Sequence, residues 1–268
     1  MARLTRKLWV GIGCVAISGA PAGAAGQASH GAAPPAAAGA AHALTDGGEA
    51  YLTDGGPADT RIRFYRDIEL MRGHLLVGQQ LIEANLWEEA LPHFLHPTEE
   101  LYGRMERHIA IHNIRPFRRE LLALAQAVKA HRIGAYRQAL GVVEARLDAA
   151  LAVAKRFMNP LEAFTARTLS EVLQAALGEY QTSLSDGRFA NPVEYQDSRG
   201  FVWRADAMLA EGGRELARRN AAALARIRQS LARLKTAWPA PMPPPAPVLQ
   251  AEEVAGLIAA IASDAARF

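Results

Sequence analysis

Between Thr60 and Trp238 the sequence contains almost no run in which β-branched residues alternate with polar ones; it is built from Ala, Leu, Arg and Glu instead. Such a stretch lacks the period-two pattern that buries one face of a strand, so helix is the regular structure open to it. Ile62, Tyr65, Ile68, Leu70, Leu75, Leu76 and Leu81 give a first helix over about 60–84 its apolar side, and a turn at Asn85 leads to a second over 86–95. Pro97 then restarts the chain, because proline suits the first helical position and Glu99 and Glu100 fall where the helix dipole favours acids. Further helices are expected over 97–114, 117–131, 135–158, 161–184, 193–237 and 251–268. Their breaks fall at Pro116, Gly134, Asn159-Pro160, Asp186-Gly187, Asn191-Pro192 and a proline-rich spacer over 238–247. The expected fold is all-α, an antiparallel bundle of seven to eight helices. Around Asn85, the residues Gly78, Leu81, Ala90 and Phe94 occupy the small and large packing positions of a tetratricopeptide-like hairpin. One clear repeat falls short of the three an array needs, so the pattern reads as a close-packed helix pair.

The N-terminal end follows the plan of an export signal. Arg3, Arg6 and Lys7 precede an apolar run from Leu8 to Ala20, and small residues from Ala20 to Ala25 offer cleavage after Ala22 or Ala24. The expectation is a signal peptide over 1–24, a periplasmic mature protein, and an Ala/Gly/Pro linker over 25–58 too poor in large apolar side chains to fold. A His-rich helical region over 59–158 and a second helical region over 159–268 complete the division. The whole sequence has 30 basic and 27 acidic residues, and three of the basic ones lie in the signal. The mature chain is therefore near neutral, which removes the electrostatic basis for a nucleic-acid partner. Cys14, the single cysteine, leaves with the signal, and with it any disulfide, thiolate site or cysteine nucleophile. No apolar run beyond the signal approaches the roughly 20 residues that span a bilayer.

Histidine is the distinctive side chain. Five of the eight lie between positions 74 and 112: His74, His93, His96, His108 and His112. His93 and His96 precede Glu99 and Glu100 in an H-x-x-H-x-x-E-E string, and His108 and His112 stand four apart on one helix face. Imidazoles with nearby carboxylates suit a transition-metal ion, so His74, His93, His96, Glu99, Glu100, His108 and His112 are the candidate ligands. His108 and His112 also fit a second reading, as core-facing residues beside Leu101, Met105 and Ile109. The chain has no G-x-S-x-G elbow, no P-loop and no H-E-x-x-H, and no nucleophile–base pair is legible; an enzyme is not expected.

The stretch from Leu177 to Phe201 carries Tyr180, then Asp186-Gly187 closing one helix, Glu194-Tyr195 opening the next, and Phe201 further on. It resembles the extracytoplasmic helical domain of bacterial high-affinity iron permeases, over about 165–268. The permease's Arg-Glu-x-x-Glu membrane motif is missing: Arg119-Glu120-Leu121-Leu122-Ala123 lacks the second Glu. The resemblance implies a relative of the exported part without the pore, iron as the metal, and a metal-transport or other envelope protein as partner. The expected function is thus a periplasmic, metal-associated accessory of iron uptake; the alternative is a structural or interaction module of the envelope without metal.

Overall fold

The structure, a computed structural model, describes residues 58–268. The expected signal, and the linker up to residue 57, lie outside the described residues. The fold is all-α. Its elements are α1 (Thr60–Glu83), α2 (Trp87–His96), a π-helical turn (Pro97–Leu101), α3 (Tyr102–Ile111), α4 (Arg118–Lys129), α5 (Ile133–Lys155), α6 (Leu161–Thr182), α7 (Pro192–Leu234) and α8 (Ala251–Ala265). A hairpin of two-residue strands, Leu184–Ser185 and Arg188–Phe189, joins α6 to α7. Its Asp186-Gly187 turn has positive φ at both residues (51° and 71°), the conformation of a two-residue primed turn that Asp-Gly favours. No described helix is long and apolar enough to cross a membrane.

Three helices end by one device. Asn85, Asn113 and His131 adopt left-handed φ. In each case the next amide reaches back five residues: Leu86 to Leu81 O, Ile114 to Ile109 O and Arg132 to Ala127 O. These are the paired bonds of a Schellman end, and they reverse the chain within a few residues. Where a clean break is expected at Pro97, the helix instead runs on. Proline has no N–H to offer and its ring clashes with the carbonyl four residues back, and a widened π turn accommodates both without a stop.

The central packing is α7 against α6, α1 and α8, with α2 laid on α1. Within α7, Asn220 leaves helical geometry and its side chain caps Ala223 N at 3.0 Å, dividing the helix into two segments. Two glycine contacts set the site. A Cβ on Gly78 would lie 2.7 Å from the Phe94 ring, the small/large contact expected of the α1–α2 pair. At the α1–α7 crossing, Gly73 meets Gly200: a Cβ on Gly200 would collide with the Gly73 carbonyl, and one on Gly73 would lie 2.6 Å from Phe201. A buried ion pair from Arg204 to Glu69 ties the same two helices, and Arg204 also holds Glu211 at 2.7 Å. The proline-rich spacer is clamped. Tyr180 and Tyr195 hydroxyls donate to Leu249 O (2.6 Å) and Ala240 O (3.0 Å), and the Arg199 guanidinium donates to Trp238 O.

Candidate metal centre

Because Gly73 and Gly200 let α1 and α7 touch backbone to backbone, their neighbours His74 and Asp197 meet in the interior. On α2, His93 and His96 are one turn apart and project from the same face toward the same carboxylate. His74 Nδ1 lies 2.6 Å from Asp197 Oδ1, His93 Nδ1 2.7 Å from the same oxygen, and His96 Nδ1 3.0 Å from Oδ2. One ligand atom from each of the four residues falls within 4.8 Å of the others. Phe201 closes one side, its ring edge-on to His74 at 4.9 Å between centroids. His74, His93 and Asp197 are buried, while the His96 side chain keeps 18 % of its exposure and faces Glu100 at 3.8 Å.

The charges are unbalanced in an informative way. Burial alone would raise the Asp197 carboxyl, but the three imidazoles outweigh it and hold the group well below its ordinary value. Burial works against a charged His96, and the Asp197 carboxylate reverses this and lifts the imidazole to about 9. Behind His93, the Gln196 amide oxygen stands 2.9 Å from Nε2, and the Gln196 amide nitrogen points to Met242 Sδ at 3.2 Å. An amide oxygen accepts only from Nε2–H. In the neutral imidazole Nδ1 then carries a lone pair aimed at a carboxylate oxygen, an arrangement relieved either by a second proton or by a cation among the four groups.

The donor set fits a transition-metal ion. A tetrahedral ion with bonds of about 2.0–2.1 Å places its ligand atoms about 3.3 Å apart, so the present spacings need adjustments of only a fraction of an ångström at the histidine–aspartate contacts. Three imidazoles and one carboxylate suit iron(II), zinc and their neighbours rather than calcium or magnesium, which take all-oxygen shells. An outer hydrogen bond from the far ring nitrogen to a carbonyl, as Gln196 gives His93, is the usual support of a ligating imidazole.

Of the seven candidate ligands named from the sequence, the structure brings His74, His93 and His96 together. Glu100 adjoins them through His96. Glu99 points into solvent on the π turn. His108 and His112 share a face of α3 and its end, stacked at 6.0 Å on each other, with Phe64 5.0 Å from His108 and Phe157 4.7 Å from His112; neither belongs to the four-residue group. Asp197 was missed. Its one signal is positional: it lies four residues before Phe201 and seven before Arg204, on a buried face of α7 where a lone acid needs a partner. The residues that carry the family resemblance do structural work. Tyr180 and Tyr195 hold the spacer, Asp186-Gly187 is a turn, and Glu194 accepts from Asn191 Nδ2 at 3.1 Å.

Residues 160–268 match the iron permease-associated 4-helix bundle domain. The resemblance read from the sequence over about 165–268 is borne out. No curated protein and no solved structure matches the chain. The matched segment supplies α6, α7 and α8, and with them Gln196, Asp197 and Phe201. All three histidines come from helices that precede it, so the four-residue group straddles the start of the matched segment.

Proposed function

We propose that the protein is an exported, periplasmic metal carrier of the iron-uptake apparatus, holding one ion between His74, His93, His96 and Asp197. The observation that carries this reading is the convergence of four ligand atoms within 4.8 Å in the interior, with Gln196 orienting His93 from behind. Iron is chosen over its neighbours because the flanking domain is of the iron permease-associated kind; the donors themselves also accept zinc. Export rests on the basic, apolar and small-residue plan of the first 24 residues, and a metal-transport protein of the envelope is the partner. No substrate turnover is assigned to the site.

Metal analysis of protein purified without a histidine tag tests the reading, with calorimetric titration by iron(II) and zinc. One equivalent bound, and its loss in Asp197→Ala and His93→Ala, is the expected result. Trace metal with no titratable affinity would leave Asp197 as the hydrogen-bond partner of three imidazoles and end the proposal. N-terminal sequencing of the envelope fraction should find a mature start after Ala22 or Ala24.

A further inference from the structure

A second charged cluster lies away from the histidine–aspartate group, in a cleft of about 540 Å³ between the start of α1 and α3. Each helix contributes by the same spacing. On α1, Arg63, Arg66 and Asp67 stand at i, i+3 and i+4, and on α3 Arg104, Arg107 and His108 do the same, so both triads face one groove. Four guanidiniums thus line the cleft against a single carboxylate. Asp67 accepts from Arg66 Nε and Nη2 at 3.0 and 2.9 Å through one oxygen, and its other oxygen lies 3.8 Å from Arg104 Nε. The lining thus carries more guanidinium than carboxylate.

Arg66 makes the deficit sharp. It is 1 % exposed, and its Nη1 is buried with no hydrogen-bond partner among the described residues. A guanidinium has five N–H donors and no acceptor, so this desolvated N–H lacks an oxygen among the described residues. On the α6 side, Glu171 is pushed up by burial against the pull of Arg66 and Arg167, and its Oε2 is likewise buried without a hydrogen bond among the described residues. His108 is held below its ordinary value by burial first, then by His112, Arg107 and Arg63, against the pull of Asp67. A metal cation is the wrong guest for such a field.

We infer that this cleft binds a small multivalent oxyanion, a molecule with two or more carboxylate or phosphate groups, gripped by Arg63, Arg66, Arg104 and Arg107. Guanidinium forks match the paired oxygens of both group types, and a pair of forks on each wall favours a ligand with more than one of them. The cleft's volume lies in the range of small-molecule sites and exceeds what one phosphate fills. The inference is independent of the metal reading.

Calorimetric titration of metal-free, tag-free protein at low salt tests it, with citrate, pyrophosphate and inorganic phosphate as separate probes. Saturable one-to-one binding of citrate or pyrophosphate, tighter than that of phosphate, is expected. Citrate alone would assign polycarboxylates, pyrophosphate alone phosphate compounds, and both the shared oxyanion chemistry. The double variant Arg63→Ala/Arg107→Ala, at positions outside the buried core, should keep its melting temperature and weaken binding by about 100-fold, roughly tenfold for each guanidinium removed. Asp197→Ala should bind the anion as the unaltered protein does. The absence of saturable binding by both multivalent probes, or full binding by the double variant, overturns the inference.

Discussion

Gln196 shows how much a residue outside the ligand set contributes. Its amide oxygen, 2.9 Å from His93 Nε2, decides which ring nitrogen is left for an ion. Replacing it by leucine removes that bond while leaving all four ligands. Affinity for the metal should fall by about 10–100-fold, the usual loss for an outer-shell partner, as read by competition with a chelator. His96 gives a second expectation, in pH. In metal-free protein it is lifted from 6.5 to about 9. A group whose folded value is raised stabilises fully below its unfolded value and loses that contribution as pH rises through the folded one. The melting temperature of the metal-free protein should therefore decline between about pH 6.5 and pH 9, and Asp197→Asn, which removes the cause of the shift, should flatten the decline. Asp197 itself acts at the other end: held below its ordinary 3.8, it stabilises above that value and is lost in stronger acid. Ion binding, which needs an unprotonated His96, should release a proton at neutral pH.

At the scale of elements, the α1–α7 crossing positions the site, and it depends on having no side chain at Gly73 and Gly200. Gly200→Ala drives a methyl into the Gly73 carbonyl and toward Val77 Cγ1, 3.2 Å away. Overpacking of this kind costs about 1–3 kcal/mol, or roughly 2–4 °C of melting temperature per kcal/mol in a domain of this size. Because Asp197 lies one turn from Gly200, the same change should also loosen metal binding, which a destabilising change far from the site would leave intact. Most helices were legible because a 3.6-residue apolar period is a local property, and the boundaries fall close to those expected. The π turn was not. Pro97 reads as a stop, and only the packing of α2 and α3 around it makes a continuous, widened helix the better solution. The histidine pair on α2 was legible for the same local reason, its i, i+3 spacing. Asp197 was not, since no local pattern links position 197 to positions 74 and 93; that link exists only once Gly73 and Gly200 have brought the helices together.

Taken as a whole molecule, the chain joins a segment that matches the iron permease-associated 4-helix bundle domain to a preceding helical region that supplies every imidazole of the site. An ion bound there ties α1, α2 and α7 at one point, so its binding energy adds to the stability of the whole fold. At a free metal concentration 100 times its dissociation constant it should add about 2.7 kcal/mol, a rise of roughly 5–10 °C in melting temperature. Differential scanning calorimetry with and without excess metal reads this directly. His93→Ala should abolish the rise.

The uneven enclosure of the four groups has a kinetic consequence. His74, His93 and Asp197 are sealed inside, whereas His96 reaches the surface beside Glu100. Among the described residues, the His96 corner is where a competing donor would reach an ion held by all four. On the proposed metal reading, exchange there would be associative, with an incoming carboxylate or imidazole taking the place of His96 before the inner three let go. Unloading should then speed up with the concentration of the acceptor rather than run at a fixed rate of its own, and tightness of holding and speed of delivery become separate properties, the first belonging to the buried three and the second to His96.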